Sequence, residues 1–274
     1  MFATIINDCR DTNARARQTS RLASLLGVNV SFVGVESDLE AGVQLIDILD
    51  ATEGRPGVIL VNVAPRGGHT TKWENGTPFA YFHYHDTLVL TTVDGFALSA
   101  VKSLGLATEV NLLDTHTAAD AMLAAGFIDE DAASRIPITQ FRSFDFTPRV
   151  AAFLFTGHEV PHTSYSLSEV PDLPPAVWHI DNFGNCKTTL TEKDLSDSTE
   201  LTTRFGTLPY ITQLRDVPDS KDAVITGSSG IKTHRWLELV CQRSPFATSH
   251  QVSIGDDIFE DKSYQTTATS LEND

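Results

Sequence analysis

Cysteine is scarce in this sequence. The 274 residues contain three cysteines, Cys9, Cys186 and Cys241, which lie far apart in the chain. A disulfide framework or a zinc knuckle needs cysteines at close and regular spacing. Neither is indicated here, and the cysteine usage favours a reducing compartment.

Positive charge is also in short supply. Lys and Arg number 20 against 36 Asp and Glu, which gives a formal net charge of −16. A surface this negative repels nucleic-acid phosphates and anionic lipid headgroups. We therefore expect no nucleic acid and no membrane among the partners, whereas a cationic or zwitterionic small molecule remains admissible.

Long apolar runs are absent. No run approaches the roughly 18 residues of a membrane-spanning helix, and the apolar start of the chain is broken at Asn7, unlike a signal peptide. Hydrophobic residues nevertheless make up 41% of the sequence, which is enough for a sizeable core at this length. These features predict a cytoplasmic, globular protein of one large or two modest domains.

The first part of the chain alternates strand and helix patterns. Residues 2–6 are apolar and β-branched, a helical pattern follows, and Ser37 with Glu40 three residues later marks the start of a second helix. Residues 57–63 form a nearly all-apolar run, typical of a buried parallel strand. This order predicts an N-terminal three-layer α/β/α domain.

Polar residues follow two of these predicted strands. Asp8 comes directly after the first strand, and the loop 64–72 follows the third. Open α/β sheets bind ligands at the carboxyl ends of their strands. The sequence therefore predicts a ligand site formed by Asp8 and this loop.

The remainder of the chain has a different pattern. Prolines and serines are dense in residues 161–175, which favours a linker. Short strand and turn patterns follow and predict a smaller C-terminal β-barrel domain. We expect an α/β nucleoside-binding domain at 1–160, the proline-rich linker at 161–175 and the barrel at 176–274.

Three separated segments together resemble one protein family. These are IDNFGN at 180–185, the Asp8 turn and residues 141–152. They are similar to the S-adenosylmethionine (SAM) hydrolases (adenosine-forming), also called SAM hydroxide adenosyltransferases, which are related to the fluorinases and chlorinases. IDNFGN is the most specific match, and the Ser228-Ser229-Gly230 turn adds to it.

The resemblance implies an enzyme that replaces methionine at the 5′-carbon of SAM, or of a related adenosine compound. Attack by water gives adenosine and L-methionine, whereas the halogenase relatives use a halide. Because the sulfonium is already a good leaving group, this chemistry needs positioning and a partly desolvated nucleophile. The resemblance also implies no metal or other cofactor, and a homotrimer with ligand sites at the subunit interfaces.

The resemblance assigns ligand-binding roles to individual residues. Asp8 matches the aspartate that holds the ribose hydroxyls, and Asp181 matches the one that meets the methionine ammonium. Considered without the family, Asp8 is a turn residue that caps a helix and 181–185 is a tight hairpin. The implied substrate-binding set is Asp8, Ala64, Pro65, Arg66, Phe141, Asp181, Phe183, Asn185 and Ser228.

The catalytic triad of the hydrolases is not reproduced. Ala64 stands where the family has its aspartate, Arg142 stands where it has its histidine, and only Lys72 could keep the charge of its arginine. Arg142 cannot be a general base because arginine stays protonated. Phe141 and Ser143 reproduce the phenylalanine-x-serine of the halogenases, so Arg142, Ser143 and Lys72 are the catalytic candidates.

Two interpretations of the altered pocket stay open. Arg66, Lys72 and Arg142 could form a cationic site for an anionic nucleophile or for an anionic part of another nucleoside. Alternatively, Arg142 pairs with Asp145 or Asp94, and the chain is an inactive regulatory protein that binds SAM or adenosine.

Two further features of the sequence bear on function. His83 and His85 alternate on a predicted strand beside Asp86, a spacing that a metal-dependent hydrolase could use. Residues 231–236 form an insertion relative to the family, near its expected adenine-binding edge.

Overall fold

The computed structural model describes residues 1–64, 77–195 and 198–259. The chain divides into two compact units, Met1–Leu173 and Pro174–Asp274. A seven-stranded sheet with parallel strands lies in the first unit, and separate antiparallel sheets lie in the second. The chain therefore has the mixed α/β architecture that its sequence predicts. No helix of the described ranges combines the length and apolarity that crossing a bilayer requires.

The first unit is organised around its seven-stranded sheet, which has the strand order β2-β1-β3-β5-β4-β6-β7. β1 is parallel to β2 and β3, and β3 is parallel to β5, whereas β4 is antiparallel to β5 and β6. Its elements are β1 (Phe2–Asn7), α1 (Thr12–Leu26), β2 (Val30–Gly34), α2 (Asp38–Thr52), β3 (Gly57–Asn62), β4 (Phe79–Tyr84), β5 (Thr87–Thr92), α3 (Ser99–Ser103), β6 (Glu109–Leu113), α4 (Thr115–Ala124), α5 (Glu130–Arg135), α6 (Arg142–Asp145), α7 (Thr147–Phe155) and β7 (His162–Ser166).

Side-chain caps define where the long helices begin. Asp11 Oδ1 accepts hydrogen bonds from the backbone N–H groups of Asn13 and Ala14, which would otherwise lack partners at the start of α1. Ser37 Oγ accepts from Glu40 N at 3.1 Å, so the predicted cap of α2 is confirmed.

One face of the large sheet packs against α1, α4 and α7. Alternate residues of β1, β3, β5 and β4 point to this face and are almost fully buried. The helices contribute Leu22, Met122 and Phe153 to the same cluster, and burying each such side chain stabilises the fold by about 1.5–3 kcal/mol. α2 contacts β1 and β3 but contributes no residue to this cluster.

Residues 161–173 of the predicted linker belong to the first unit, and 174–175 begin the second. β7 pairs with β6 at the edge of the large sheet, and its five residues are mostly exposed. Ser99 Oγ donates to the Pro171 carbonyl and Lys102 Nζ to the Val170 carbonyl, both at 2.7 Å. The sequence pattern did not reveal β7 because an edge strand with solvent on its sides needs no apolar alternation.

The second unit contains a four-stranded antiparallel sheet, β12-β13-β9-β8, and a two-stranded sheet, β10-β11. Apolar side chains from both sheets and from α8 form one core cluster. Trp178 and Trp236 are each 1% exposed. The elements are β8 (Val177–Ile180), β9 (Cys186–Thr191), β10 (Glu200–Thr203), β11 (Gly206–Pro209), β12 (Asp222–Ile231), β13 (His234–Cys241) and α8 (Phe246–His250).

Candidate functional site

Asp8 lies where the strand order of the large sheet reverses direction. From β1 the chain first forms β2 on one side and then β3 and β5 on the other. Open α/β sheets commonly bind ligands at the carboxyl ends of the strands at such a reversal. Asp8 N donates to the Asn62 carbonyl at 3.4 Å, and Asp8 Oδ2 accepts from Ala64 N at 3.3 Å. The structure thus brings Asp8 and Ala64 together, and Asp8 is half-buried.

The preceding residue, Asn7, stabilises this turn through its side chain. It is fully buried, and its Nδ2 donates to Gln18 Oε1 of α1 at 2.7 Å. Its Oδ1 accepts from Cys9 N, also at 2.7 Å. The bond from Cys9 N fixes the backbone after Asp8, and the bond to Gln18 ties Asn7 to α1. Asn7 is therefore a positioning residue that the sequence analysis did not single out.

A second carboxylate, Asp94, follows β5 at the same edge of the sheet. Its backbone N donates to Thr77 Oγ1 at 3.2 Å, and its Oδ1 accepts from Gly95 N at 3.1 Å. Asp94 Oδ2 is buried and, within the described residues, has no hydrogen-bond partner. Because a buried acceptor without a partner is destabilising by about 1–3 kcal/mol or more, a ligand donor would be favourable there.

The segment that begins at Phe141 reaches this edge through an aromatic contact. The Arg142 guanidinium carbon lies 5.3 Å from the ring centre of Phe79, which pairs with Thr92 at the carboxyl end of β5. Burial lowers the pKa of Arg142. Phe141 is 68% exposed, and the Ser143 carbonyl accepts from Thr147 Oγ1 at 3.2 Å.

The proposed pairing of Arg142 with Asp145 or Asp94 is wrong. Asp145 Oδ1 lies 3.5 Å from Arg135 Nε and 3.7 Å from Arg149 Nη1, so α6 directs this carboxylate toward α5 and α7. Asp94 Oδ2 contacts no donor among the described residues. The Arg142 guanidinium lies over Phe79 instead, because a planar cation is stabilised on an aromatic face.

Three predicted site residues lie outside the described residues, so the hypothesis of a cationic pocket formed with Arg142 stays a hypothesis. They are Pro65, Arg66 and Lys72.

In the second unit, the IDNFGN segment forms the turn between β8 and β9. Asp181 Oδ1 accepts from the backbone N–H groups of Phe183 and Asn185, at 2.8 and 2.9 Å. Asp181 Oδ2 accepts from Asn185 Nδ2 at 3.0 Å. The turn is held by three hydrogen bonds to one carboxylate. A carboxylate has about four acceptor positions, one more than these three bonds use. Phe183, in the same turn, is 72% exposed.

The turn predicted at Ser228-Ser229-Gly230 is wrong, because these residues belong to β12, where a bulge interrupts the pairing with β13. This part of β12 contains a polar group that the sequence analysis missed. Ser228 is exposed, whereas Ser229 is 4% exposed. Ser229 Oγ accepts from Lys187 Nζ at 2.5 Å, and Lys187 Nζ lies 3.9 Å from Glu238 Oε1. These side chains come from three strands, so linear spacing gave no signal for the cluster.

The insertion at 231–236 is the tip of the β12-β13 hairpin. Ile231 pairs with His234, and Lys232 adopts the left-handed region with φ 53°. These residues therefore form the ends of two paired strands and the turn between them.

The strand position predicted for His85 is wrong. β4 ends at Tyr84, and His85 with Asp86 forms the turn to β5, with His85 at φ 52°. Tight hairpin turns require this left-handed conformation, so turn geometry overrides the alternation of His83 and His85. Among the residues that the structure describes, no group of three or more His, Cys, Asp or Glu side chains could hold a metal ion.

Solved structures share this architecture. A protein from Thermotoga maritima, described as an uncharacterized conserved protein, matches with a TM-score of 0.65 and 15% identity, over 93% of this chain and 98% of its own. A conserved hypothetical protein from Thermus thermophilus matches with a TM-score of 0.57 and 17% identity, over 93% and 97%. At these identities the likeness shows the fold alone. No protein-family model matches the chain, and no curated protein matches it either.

Proposed function

We propose that the chain binds SAM or a related adenosine compound and replaces methionine at its 5′-carbon, with water as nucleophile and adenosine and L-methionine as products. This is the activity of the SAM hydroxide adenosyltransferase family that the sequence resembles. The proposal includes the family's finer architecture, a three-layer α/β/α domain with a C-terminal β-barrel. It also includes a cytoplasmic homotrimer with ligand sites at the subunit interfaces, and no metal or cofactor.

The position of Asp8 carries this proposal. Asp8 follows β1 where the strand order reverses, which is the position at which α/β sheets commonly bind nucleotides, and Asn7 accepts a hydrogen bond from the next residue of the turn. Two oxygens on one carbon suit two neighbouring hydroxyls, such as those of a ribose. The buried Asp94 Oδ2 offers a further acceptor at the same edge. Both carboxylates favour a cationic ligand such as a sulfonium.

The reaction needs no charged nucleophile. As the bond from the water oxygen to C5′ forms, the bond from C5′ to sulfur breaks, and its electron pair neutralises the sulfonium to the thioether of methionine. The attacking water loses its proton to solvent, because Arg142 remains protonated and cannot accept it. Ser143 and Arg142 would act by positioning the nucleophile through hydrogen bonds.

A binding protein without catalysis is the second candidate. Ala64 provides no carboxylate to orient water, and the Arg142 side chain lies over Phe79. Both observations favour retention of the nucleoside site without the hydrolytic step.

The test is incubation of the purified protein with SAM, followed by chromatography for adenosine and methionine. Asp8→Asn removes the charge at the site, whereas Asp11→Asn is a matched control, because asparagine also caps a helix. We expect equimolar products with the wild type and with Asp11→Asn, and at least a tenfold loss with Asp8→Asn. Binding of SAM without product supports the second candidate. A 5′-chloro product in chloride would identify the halogenase chemistry, and no binding at all refutes both candidates.

A further inference from the structure

An open cavity of about 390 Å³ lies where the chain leaves α4 and passes α5 and α7. Residues 126–129, Ala132 and Arg149 line it, and none of them belongs to the site at Asp8. We call it the α5–α7 cavity. Its volume is within the usual range for a small organic ligand, so the charges of its lining indicate which ligand it fits.

Arg149 supplies a positive charge and a free pair of N–H groups to this cavity. Its Nη1 donates to the Asp145 carbonyl oxygen at 2.6 Å, which fixes the guanidinium. Within the described residues, Arg149 Nε and Nη2 donate to no acceptor, and neither is among the buried nitrogens that lack a partner. Both therefore remain accessible, and together they form the guanidinium edge that matches the two oxygens of a carboxylate.

The charge of Arg149 is only partly neutralised by the fold. Asp145 Oδ1 lies 3.7 Å from Arg149 Nη1, but it lies closer, at 3.5 Å, to Arg135 Nε. Burial lowers the pKa of Arg149, and the charge of Arg21 adds to this shift. Because Asp145 is shared between several cations, an anionic group of a ligand would be favourable at the free edge of Arg149.

Asp129 supplies the opposite charge to the same cavity. Its Oδ1 accepts from Ala132 N at 2.8 Å, whereas its Oδ2 accepts no hydrogen bond in the part of the chain that the structure describes. Against the lowering by burial, the charge of Asp129 acts to raise the pKa of Arg149, so the two groups lie near each other. They nevertheless form no ion pair among the described side chains, and each keeps free capacity for a ligand.

The remaining lining includes apolar side chains that are held in place. Phe127 N donates to the Met122 carbonyl at 2.9 Å, and the Phe127 ring centre lies 5.2 Å from that of Phe153 in α7. Ile128 is partly buried against the same core. The cavity thus combines a cation, an anion and a fixed apolar wall.

We propose that the α5–α7 cavity binds a free α-amino acid as its zwitterion. The carboxylate accepts two hydrogen bonds from Arg149 Nε and Nη2, and the ammonium group donates to Asp129 Oδ2. An apolar side chain contacts Phe127 and Ile128. A simple anion is disfavoured by Asp129 and a simple cation by Arg149, so the lining selects a ligand that carries both charges. This inference does not depend on the proposed function.

Isothermal titration calorimetry with L-leucine, at constant pH and ionic strength, tests the proposal. L-Leucinamide lacks the carboxylate and N-acetyl-L-leucine lacks the ammonium group, so each analogue loses one charged contact. We expect L-leucine to bind and each analogue to bind at least tenfold more weakly. Absence of L-leucine binding, or equal binding of either analogue, would overturn the proposal.

Variants locate the bound amino acid. Asp129→Asn removes the charge but keeps the helix cap, because asparagine is also a good N-cap. It should weaken L-leucine binding at least tenfold. Asp114→Asn is the matched control, since Asp114 caps α4 by accepting from Thr117 N at 2.9 Å and does not line the cavity. It should bind L-leucine within twofold of the wild type.

Arg149→Lys tests the paired N–H edge separately from the charge. Lysine keeps the positive charge but cannot offer two parallel donors to one carboxylate, so L-leucine binding should again weaken at least tenfold. Unchanged affinity in both Arg149→Lys and Asp129→Asn contradicts the assignment of the site.

Asp8→Asn distinguishes this cavity from the proposed SAM site, because SAM also carries an α-amino acid group. We expect Asp8→Asn to bind L-leucine as the wild type does. A loss of L-leucine affinity in Asp8→Asn but not in Asp129→Asn would place the amino acid at the SAM site and refute the inference. None of these results depends on whether SAM is hydrolysed, so failure here is distinguishable from failure of the proposed function.

Discussion

The hydrogen bond between Asn7 and Gln18 allows a quantitative prediction of how much its removal lowers the free energy of unfolding. Asn7→Leu keeps the approximate size of the side chain but removes the donor to Gln18 Oε1 and the acceptor of Cys9 N. Gln18 is 4% exposed, so water cannot replace the lost partner. The buried Gln18 amide then costs about 1–3 kcal/mol and the lost Cys9 bond about 1 kcal/mol, so we expect Asn7→Leu to destabilise the fold by about 2–4 kcal/mol.

The double variant distinguishes the interaction between Asn7 and Gln18 from the contacts that each makes with other residues. Gln18→Leu alone leaves the Asn7 amide without its partner and should cost about 1–3 kcal/mol. In Asn7→Leu/Gln18→Leu neither amide is buried alone, so the combined loss should be smaller than the sum by at least about 1 kcal/mol. Asn13→Leu, on the exposed first turn of α1, is the control and should change stability by less than about 0.5 kcal/mol.

Urea unfolding followed by far-UV circular dichroism measures these changes, with equal m-values as the condition for comparing midpoints. The reasoning is refuted if Asn7→Leu destabilises no more than Asn13→Leu, or if the two single losses simply add. Either result would mean that the amide pair does not hold the Asp8 turn.

Two further predictions concern a glycine and a cysteine of the second unit. Gly184→Ala should lower stability by about 2 kcal/mol or more, because Gly184 has φ 82° and an added Cβ would lie 2.5 Å from Pro245 Cβ. Gly27→Ala, at φ 67° with no atom within 4 Å of the added Cβ, should lower stability by only about 1 kcal/mol. Thermal unfolding of both glycine variants measures the difference. Burial, with smaller effects of Asp181 and Asp256, raises the pKa of Cys186 from 9.0 to about 12. The unfolded thiol therefore ionises first as pH rises, and the unfolding free energy should fall from about pH 9 toward 12 by up to about 1.4 kcal/mol per unit. Cys186→Ala should flatten that slope, and an equal slope in the variant would contradict the assignment.

Local signals in the sequence predicted several features correctly. The cap of α2 followed from Ser37 and Glu40, because a helix start uses neighbours in the chain. The meeting of Asp8 with Ala64 followed from strand order, since the carboxyl ends of parallel strands lie at one edge. Both inferences needed only short-range pattern or topology.

Contacts between distant segments could not be predicted in the same way. The pairing of Asp145 with Arg135 depends on how α5 and α6 pack, and no spacing in the sequence encodes it, whereas Arg149 follows Asp145 by four residues, a spacing that does indicate a pair. Lys187 and Ser229 meet because β9 and β12 both flank β13. His85 does not lie in its expected strand, because the two-residue turn between β4 and β5 requires a residue in the left-handed region.

The placement of the buried tryptophans has a practical consequence for spectroscopy. Trp178 and Trp236 are two of the three tryptophans in the chain, and both belong to the second unit. Intrinsic fluorescence therefore reports mainly on that unit, whereas circular dichroism at 222 nm reports mainly on the helices of the first. A single protein sample thus carries two built-in probes. Coincident unfolding curves would mean that both units unfold in one cooperative transition. Separate curves would give each unit its own free energy of unfolding.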